Sequence, residues 1–219
     1  MIARALTLAR CYADVVSFDA HDANSIVDFC FDHPIRPLQV RSEFLTLAEK
    51  VAQLQPKTVL EIGTAAGGSL FLFCCCSAPH ATVISVDLPH GKHGGGYHWA
   101  KIPLYRKFAR REQQLHLIRG DSHSSAVFDR VRSILRERKL DLLFIDGDHT
   151  YEGVKGDFER FSPLVRKGGM VVFHDIVEHP PETECAVDRF WNEVKTQFSH
   201  QEIIESPSQG WAGIGLLYL

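Results

Sequence analysis

The sequence predicts an α/β protein built on a doubly wound, mostly parallel sheet: five parallel strands followed by a C-terminal antiparallel hairpin. Three observations predict it. Short β-branched runs, each about five residues and apolar on both faces, recur along the chain, as expected for strands covered on both sides. Amphipathic segments of helical period lie between them. A glycine-rich turn closes the first run and opens a helix, as in open sheets that bind ligands beyond the carboxyl ends of their strands.

The elements follow in order. The first 40 residues lack clear periodicity and contain Pro34 and Pro37, so they are read as an N-terminal cap or lid of undefined shape, with one domain over 41–219. SEFLTLAEKVAQLQ (42–55) is a helix, TVLEI (58–62) the first strand and TVISV (82–86) the second. LHLIR (115–119) is the third strand, SSAVFDRVRSILRERK (124–139) a crossover helix and LLFID (142–146) the fourth strand. GVKGDFERFSPLV (153–165) is helical, and MVVFH (170–174) is the fifth strand. A helix at 185–198 then leads to HQEIIES (200–206) and, through PSQG, to AGIGLLYL (212–219), close enough to pair as a hairpin. Phe190 and Trp191 on the 185–198 helix are expected in the core, and Trp211 either lines a pocket or caps the sheet.

Composition narrows the class of function. With 219 residues, 45% apolar and 23% charged, the chain has the makeup of one folded domain. The net charge is −3 with no long single-sign block, which favours a small or neutral partner over nucleic acid or an anionic membrane. Six cysteines, three of them consecutive at Cys74, Cys75 and Cys76, form no CxxC pair and read as buried free thiols. Arg4 and Arg10 interrupt the N-terminal apolar stretch, and no run approaches the ~20 apolar residues of a membrane span. A cytoplasmic location is expected.

The residues that follow each strand carry the chemistry. Glu61-Ile62-Gly63-Thr64-Ala65-Ala66-Gly67-Gly68-Ser69 places small residues where backbone can approach a ligand at a helix N-terminus. Gly63 and Gly68 have P-loop spacing, but Ser69 follows directly without the lysine that nucleotide triphosphates require. The GxGxxG dinucleotide fingerprint matches as Gly63, Ala65 and Gly68, with alanine in the central place. Asp87 ends the second strand, where a carboxylate accepts hydrogen bonds from a ribose diol or is simply solvated. Asp121 and Ser122 follow the third strand at the height of an adenine edge. Together these strand ends describe an adenosine-shaped slot. Beyond it, Asp146-Gly147-Asp148-His149 and His174-Asp175 converge from the fourth and fifth strands. Convergent carboxylates repel unless a cation lies between them. Either a divalent metal sits there, with Asp146 and Asp175 suiting Mg²⁺ or Ca²⁺ and His174 suiting Mn²⁺, Fe²⁺ or Zn²⁺, or the group is a hydrogen-bonded Asp and His set.

VLEIGTAAGGS, VISVDLP, IRGDS, LLFIDGDHTYEGVKGDFE and PLVRKGGMVVFHDI resemble the class I S-adenosylmethionine-dependent methyltransferases. The resemblance is to the branch with cephalosporin-hydroxylase-like and macrolide-sugar O-methyltransferases, and it spans roughly residues 39–219. It implies a Rossmann-like, seven-stranded methyltransferase fold, a homo-oligomer and S-adenosylmethionine as cofactor. Glu61, Gly63, Thr64, Ala65, Gly68 and Ser69 would hold its methionine part, Asp87 its ribose, and Asp121 and Ser122 its adenine, with Asp146 beside them. The family's metal ligands match Asp146, His174 and Asp175, with Mg²⁺ first and Mn²⁺ an alternative; relatives typically carry Glu-Asp or Asp-Asn where this chain has His174-Asp175 or Asp175-Ile176. A histidine after the fourth strand serves as general base in sugar-modifying relatives, which corresponds to His149.

The expected reaction is therefore methylation of a small-molecule hydroxyl, with His149 and Asp146 as catalytic residues. His149 has a plainer alternative as a helix N-terminal residue bonded to Asp146. The segment from His90 to Trp99 is read as a glycine-rich flap carrying substrate contacts, with a second metal site on His90, His93 and His98 as the sharper alternative. Three rival functions remain open: an NAD-dependent oxidoreductase, an Fe²⁺ site on His149, His174 and an Asp, and a non-catalytic adenosine-binding protein.

Overall fold

The computed structural model of the chain describes residues 2–91, 96–110 and 112–219. Seven strands form one sheet in the order β3-β2-β1-β4-β5-β7-β6. They are β1 (Thr58–Ile62), β2 (Thr82–Asp87), β3 (Gln114–Arg119), β4 (Leu140–Ile145), β5 (Val165–His174), β6 (Ser199–Ile203) and β7 (Ile214–Tyr218). The first five pair in parallel, and β7 runs antiparallel to both β5 and β6, as the terminal hairpin requires. The chain order reverses between β1 and β4, which places the switch point over the ends of those two strands.

Successive residues of the central strands serve opposite cores, because side chains alternate across a pleated strand. Val59, Val83, Phe144 and Val172 pack with α1 (Ile2–Ser17), α2 (Ala23–Asp32), α3 (Arg41–Leu54), α4 (Gly68–Cys76) and α5 (Ile102–Tyr105). Leu60, Ile84, Leu143 and Val171 pack with α6 (Ser125–Leu135), α7 (Tyr151–Phe161) and α8 (Val187–Val194). Every residue of β1 and β2 is buried. The two covered faces explain why these strands read as continuous apolar runs.

The first 40 residues, shapeless in sequence, form α1 and α2 and contribute to the same core as α3 and α4. A capping box starts α2: Asp22 accepts the Ser25 N–H at 2.8 Å and Ser25 Oγ accepts the Asp22 N–H at 3.1 Å. Phe29 of α2 then stacks on Phe71 of α4 at 4.9 Å between ring centres. The helix α4 is apolar all round because it lies between the sheet and α2, and its Cys74 and Cys76 are packing residues. All six cysteines are free. Phe190 and Trp191 are buried as expected.

Several boundaries differ from expectation; the 124–139 helix, for one, ends at Leu135 and the hairpin strands are shorter, at Ser199–Ile203 and Ile214–Tyr218. The 153–165 helix stops at Phe161, followed by a 3₁₀ turn at Ser162–Leu164 that Pro163 opens. Strand β5 begins at Val165, five residues early: Leu140 pairs with Val165 and Leu142 with Met170, so 166–169 bulge out of register. The 185–198 helix is α8 with a 3₁₀ turn, shorter at both ends. Among the described residues, no helix is long and apolar enough to cross a membrane.

Candidate active site

The turn after β1 is tied to its neighbours by its own backbone. The Gly63 N–H donates to Val86 at 2.9 Å and the Asp146 N–H donates to Ile62 at 2.8 Å, so the ends of β2, β1 and β4 are bound together. A Cβ on Gly63 would lie 1.9 Å from the Asp146 carbonyl oxygen, and its φ of +93° favours glycine as well. Gly67, at φ +101°, faces the Tyr105 ring at 2.7 Å from the same construction. These two glycines let chain approach chain. Tyr105 Oη donates to the carbonyls of Ala65 and Ala66 at 3.0 and 2.6 Å, holding the loop from α5. Nothing in the spacing of the sequence marks Tyr105 for that role.

Asp87 lies at the end of β2, buried, with Oδ2 accepting the N–H groups of Thr64 at 3.2 Å and Ala65 at 2.8 Å. Burial pushes its carboxyl up, and these backbone donors oppose the shift. Thr64 Oγ1 also bonds Ser85 Oγ. Glu61 is placed differently from its neighbours: it is fully buried beneath the loop, where Oε1 accepts Ser69 Oγ at 2.6 Å. Burial pushes the Glu61 carboxyl up to about 8, and among the described residues its Oε2 has no partner. It supports the wall and does not form part of it.

Two cavities open above these strand ends. A slot of about 220 Å³ is lined by Gly63, Ala65, Asp87, Asp121, Ser122 and Asp146, among others. Asp121 is half exposed there, and its Oδ1 accepts the His123 N–H at 2.8 Å. A chamber of about 720 Å³ is lined by Gln39, the loop from Gly63 to Ser69, Lys101, Asp146, His149, His174, Asp175, His179 and Trp211. The two share Gly63, Ala65, Gly96 and Asp146, so they adjoin at the switch point. An elongated molecule laid across that junction would have one end in each.

The charged cluster sits in the chamber wall. His174 Nδ1 is 3.2 Å from Asp146 Oδ1 and 3.2 Å from Asp175 Oδ1. His149 bridges the same two acids, Nε2 at 3.5 Å from Asp146 Oδ1 and Nδ1 at 3.3 Å from Asp175 Oδ2. A third imidazole, His179, reaches Asp175 Oδ1 at 3.1 Å. Gln39 Nε2 donates to Asp146 Oδ2 at 3.5 Å. Asp175 adopts a left-handed backbone at φ +63°, which is costly for a non-glycine residue and is found at functional sites. Burial opposes the charge on both acids, yet the imidazoles hold Asp146 and Asp175 below the usual carboxylate range. The carboxylates in turn hold His149 and His174 above the usual imidazole range, against burial. Histidines thus balance the two acids, so repulsion between Asp146 and Asp175 does not by itself demand a metal.

The donor set nevertheless suits a divalent cation. Ligand atoms from Asp146, His174 and Asp175 lie within 4.8 Å of one another, and a second trio, His149, Asp175 and Cys185, does the same. His174 Nε2 is shielded and has no partner among the described residues. Imidazole among carboxylates is a donor set for Mn²⁺, Fe²⁺ or Zn²⁺ more than for Mg²⁺.

Gln39, Tyr105 and His179 are the site residues that the sequence did not mark. Of the expected flap, 92–95, and with them His93, lie outside the described residues. Tyr97 is buried against Tyr105 at 5.0 Å, His98 Nδ1 accepts the Ala100 N–H at 3.2 Å, and Trp99 is 63% exposed. Trp211 lines the chamber.

The strand order and the cavity at its switch point define a class I methyltransferase fold, and solved structures share it. The O-methyltransferase from Bacillus cereus, solved in complex with SAH, aligns with a TM-score of 0.58 at 17% identity, over 94% of each chain. TomG from Streptomyces achromogenes, an O-methyltransferase involved in tomaymycin synthesis and solved with SAM, gives 0.57 at 18% identity over 92% of this chain and 91% of its own. The calicheamicin methyltransferase CalS11 gives 0.61 at 14% identity over 98% and 91%. Residues 60–176 match the methyltransferase domain family, and the chain belongs to it.

Two uncharacterized proteins are similar in sequence: y4gI of Sinorhizobium fredii, 30% identical over 57% of this chain, and R132 of Acanthamoeba polyphaga mimivirus, 32% identical over 60%. The matches span 14% and 58% of those proteins.

Proposed function

We propose that the protein transfers a methyl group from S-adenosylmethionine to a hydroxyl of a small-molecule acceptor, with a divalent cation assisting. The observation that carries this reading is the position of His149, held in the chamber between Asp175 and Asp146, the latter lining both chamber and slot. Asp87, Asp121 and Ser122 would hold the adenosine part in the slot, and the loop from Gly63 to Ser69 the methionine part. Asp146, Asp175 and His174 would hold the cation. Bound S-adenosylmethionine supplies an activated sulfonium methyl group, and a bound cation lowers the pKa of a hydroxyl beside it.

The chain's residues supply the remainder. An alcohol attacks in line only if its oxygen is held about 3 Å from the methyl carbon and its proton is removed. The chamber gives the place, and His149 in its neutral form accepts the proton. Asp146 and Asp175 then stabilise the resulting imidazolium, which releases the proton to solvent after transfer. The Bacillus cereus, TomG and CalS11 enzymes support the reaction type, since each is a methyltransferase of this fold and two of them are O-methyltransferases.

The test is transfer of labelled methyl from S-adenosylmethionine to a panel of sugar and natural-product hydroxyls, with and without EDTA. His149→Ala is expected to lower turnover by about 10²–10⁴, the usual worth of a general base, while leaving cofactor affinity within about twofold. Asp146→Asn is expected to abolish transfer and its response to Mn²⁺ or Mg²⁺. Full transfer by His149→Ala with loss in Asp146→Asn would remove the base and keep the cation site.

A further inference from the structure

Charge is distributed unevenly along this chain. Residues 101–119 and 130–139 hold eleven Lys or Arg but only Glu112 and Glu137, nine net positive charges in a protein whose total is −3. No single run of the sequence shows this, because acids and the apolar strand β3 interrupt it. The fold brings the two segments together: β3 is an edge strand, α5 packs on one face of the sheet beside it and α6 on the other.

Two adjoining cavities lie along that edge. One, of about 450 Å³, is lined by Gln114, His116, Arg130, Ser133, Arg136 and Arg138 with Ile134. The other, of about 240 Å³, is lined by Arg106, His116, Arg130 and apolar residues of β3 and α6. Arg130 and His116 belong to both. Arg138 is committed to the structure, donating to Thr82 Oγ1 at 2.8 Å and to the carbonyls of Leu135 and Ile134 at 3.3 and 3.0 Å. Arg106, Arg130 and Arg136 are not: among the described residues no carboxylate forms an ion pair with them, including their sequence neighbours Asp129 and Glu137. Arg136, at the end of α6, has a positive φ of +58°. His116 Nε2 is shielded from solvent and unpartnered among the described residues, and burial together with Arg130 and Arg138 keeps this imidazole below its ordinary pKa.

Uncompensated guanidinium groups around a concave surface match the geometry of phosphate oxygens, which they bind in pairs. No Phe, Tyr or Trp lines either cavity, so the large stacking platforms of nucleobase sites are missing there. We propose that the β3 edge is a second ligand site, for a small molecule bearing two or more linked phosphates, held by Arg106, Arg130 and Arg136. Gln114 opens β3 and Arg136 precedes β4, so the larger cavity lies at the amino ends of the strands, opposite the methyl-transfer chamber. S-adenosylmethionine carries no phosphate, which makes this site independent of the cofactor reading.

The experiment is calorimetric titration of the full chain with sodium tripolyphosphate, in the wild type and in Arg130→Ala/Arg136→Ala. Saturable 1:1 binding that weakens about tenfold or more in the variant is expected from the loss of two charge-assisted contacts. Both proteins should bind S-adenosylmethionine equally and unfold at the same temperature. Absence of saturable binding below about 1 mM would overturn the proposal, as would equal binding by the variant. A roughly 20-nucleotide RNA that binds while tripolyphosphate does not would also overturn it, marking the edge as a surface that tracks a polyanion backbone.

Discussion

Glu61 and His149 show two ways in which an ionisable group shielded from water is managed. At His149 two carboxylates outweigh the burial that opposes its charge and hold the imidazole above its ordinary pKa. Among the described residues no cation pairs with Glu61: burial raises its carboxyl to about 8, and neighbouring hydroxyls, Ser69 first, only partly counter that. The folded protein therefore keeps the Glu61 proton at neutral pH. Its folded pKa lies above the ordinary 4.5, so the contribution of the neutral form is complete below 4.5 and is lost as pH rises through about 8. Glu61→Gln retains an acceptor for Ser69 and cannot ionise. The variant is predicted to gain on the wild type in Tm between pH 5 and pH 9, by roughly 2–4 °C per kcal/mol for a chain of this size. Parallel Tm curves across that range would contradict the assignment.

At the scale of elements, the glycine loop works as a joint between strands and helices before it works as a cradle. Gly67 and Gly210 both hold left-handed backbones, at φ +101° and +68°, but a Cβ meets the Tyr105 ring at 2.7 Å in the first case and nothing within 4 Å in the second. Gly210→Ala is expected to cost about 1 kcal/mol of unfolding free energy, from backbone conformation alone. Gly67→Ala adds a steric clash to the same strain and is expected to cost about 2–4 kcal/mol, read from urea midpoints. Equal losses would show that Tyr105 is not packed on the loop. The same elements show what the sequence makes legible. The range of β1 was readable to the residue because both of its faces are buried, whereas β5 was shortened because Arg166-Lys167-Gly168-Gly169 is locally a turn and becomes strand only around a bulge. Helix α2 has ten residues, too few to display a period without the core that buries Ile26, Val27, Phe29 and Cys30.

On the scale of the whole molecule, the strand ends gathered most of the expected site. Asp87, Asp121, Ser122 and Asp146 line the slot, and Asp146, His149, His174 and Asp175 line the chamber. These were readable because a parallel sheet aligns the carboxyl ends of its strands, so position in the repeat predicts position in space. Gln39, Tyr105 and His179 enter the site from segments with no such register, and only the folded chain reveals them. The basic β3 edge was hidden for a related reason, since its two halves are separated in sequence and joined by packing.

The central claim is that the slot and chamber together hold S-adenosylmethionine; NAD is the natural competitor on such a sheet, although the alanine at the middle of the fingerprint weakens it. Isothermal titration of the full chain with each, with and without Mg²⁺ or Mn²⁺, separates them directly. Saturable 1:1 binding of S-adenosylmethionine, with no binding of NAD under the same conditions, is predicted; saturable binding of NAD with none of S-adenosylmethionine would contradict the account.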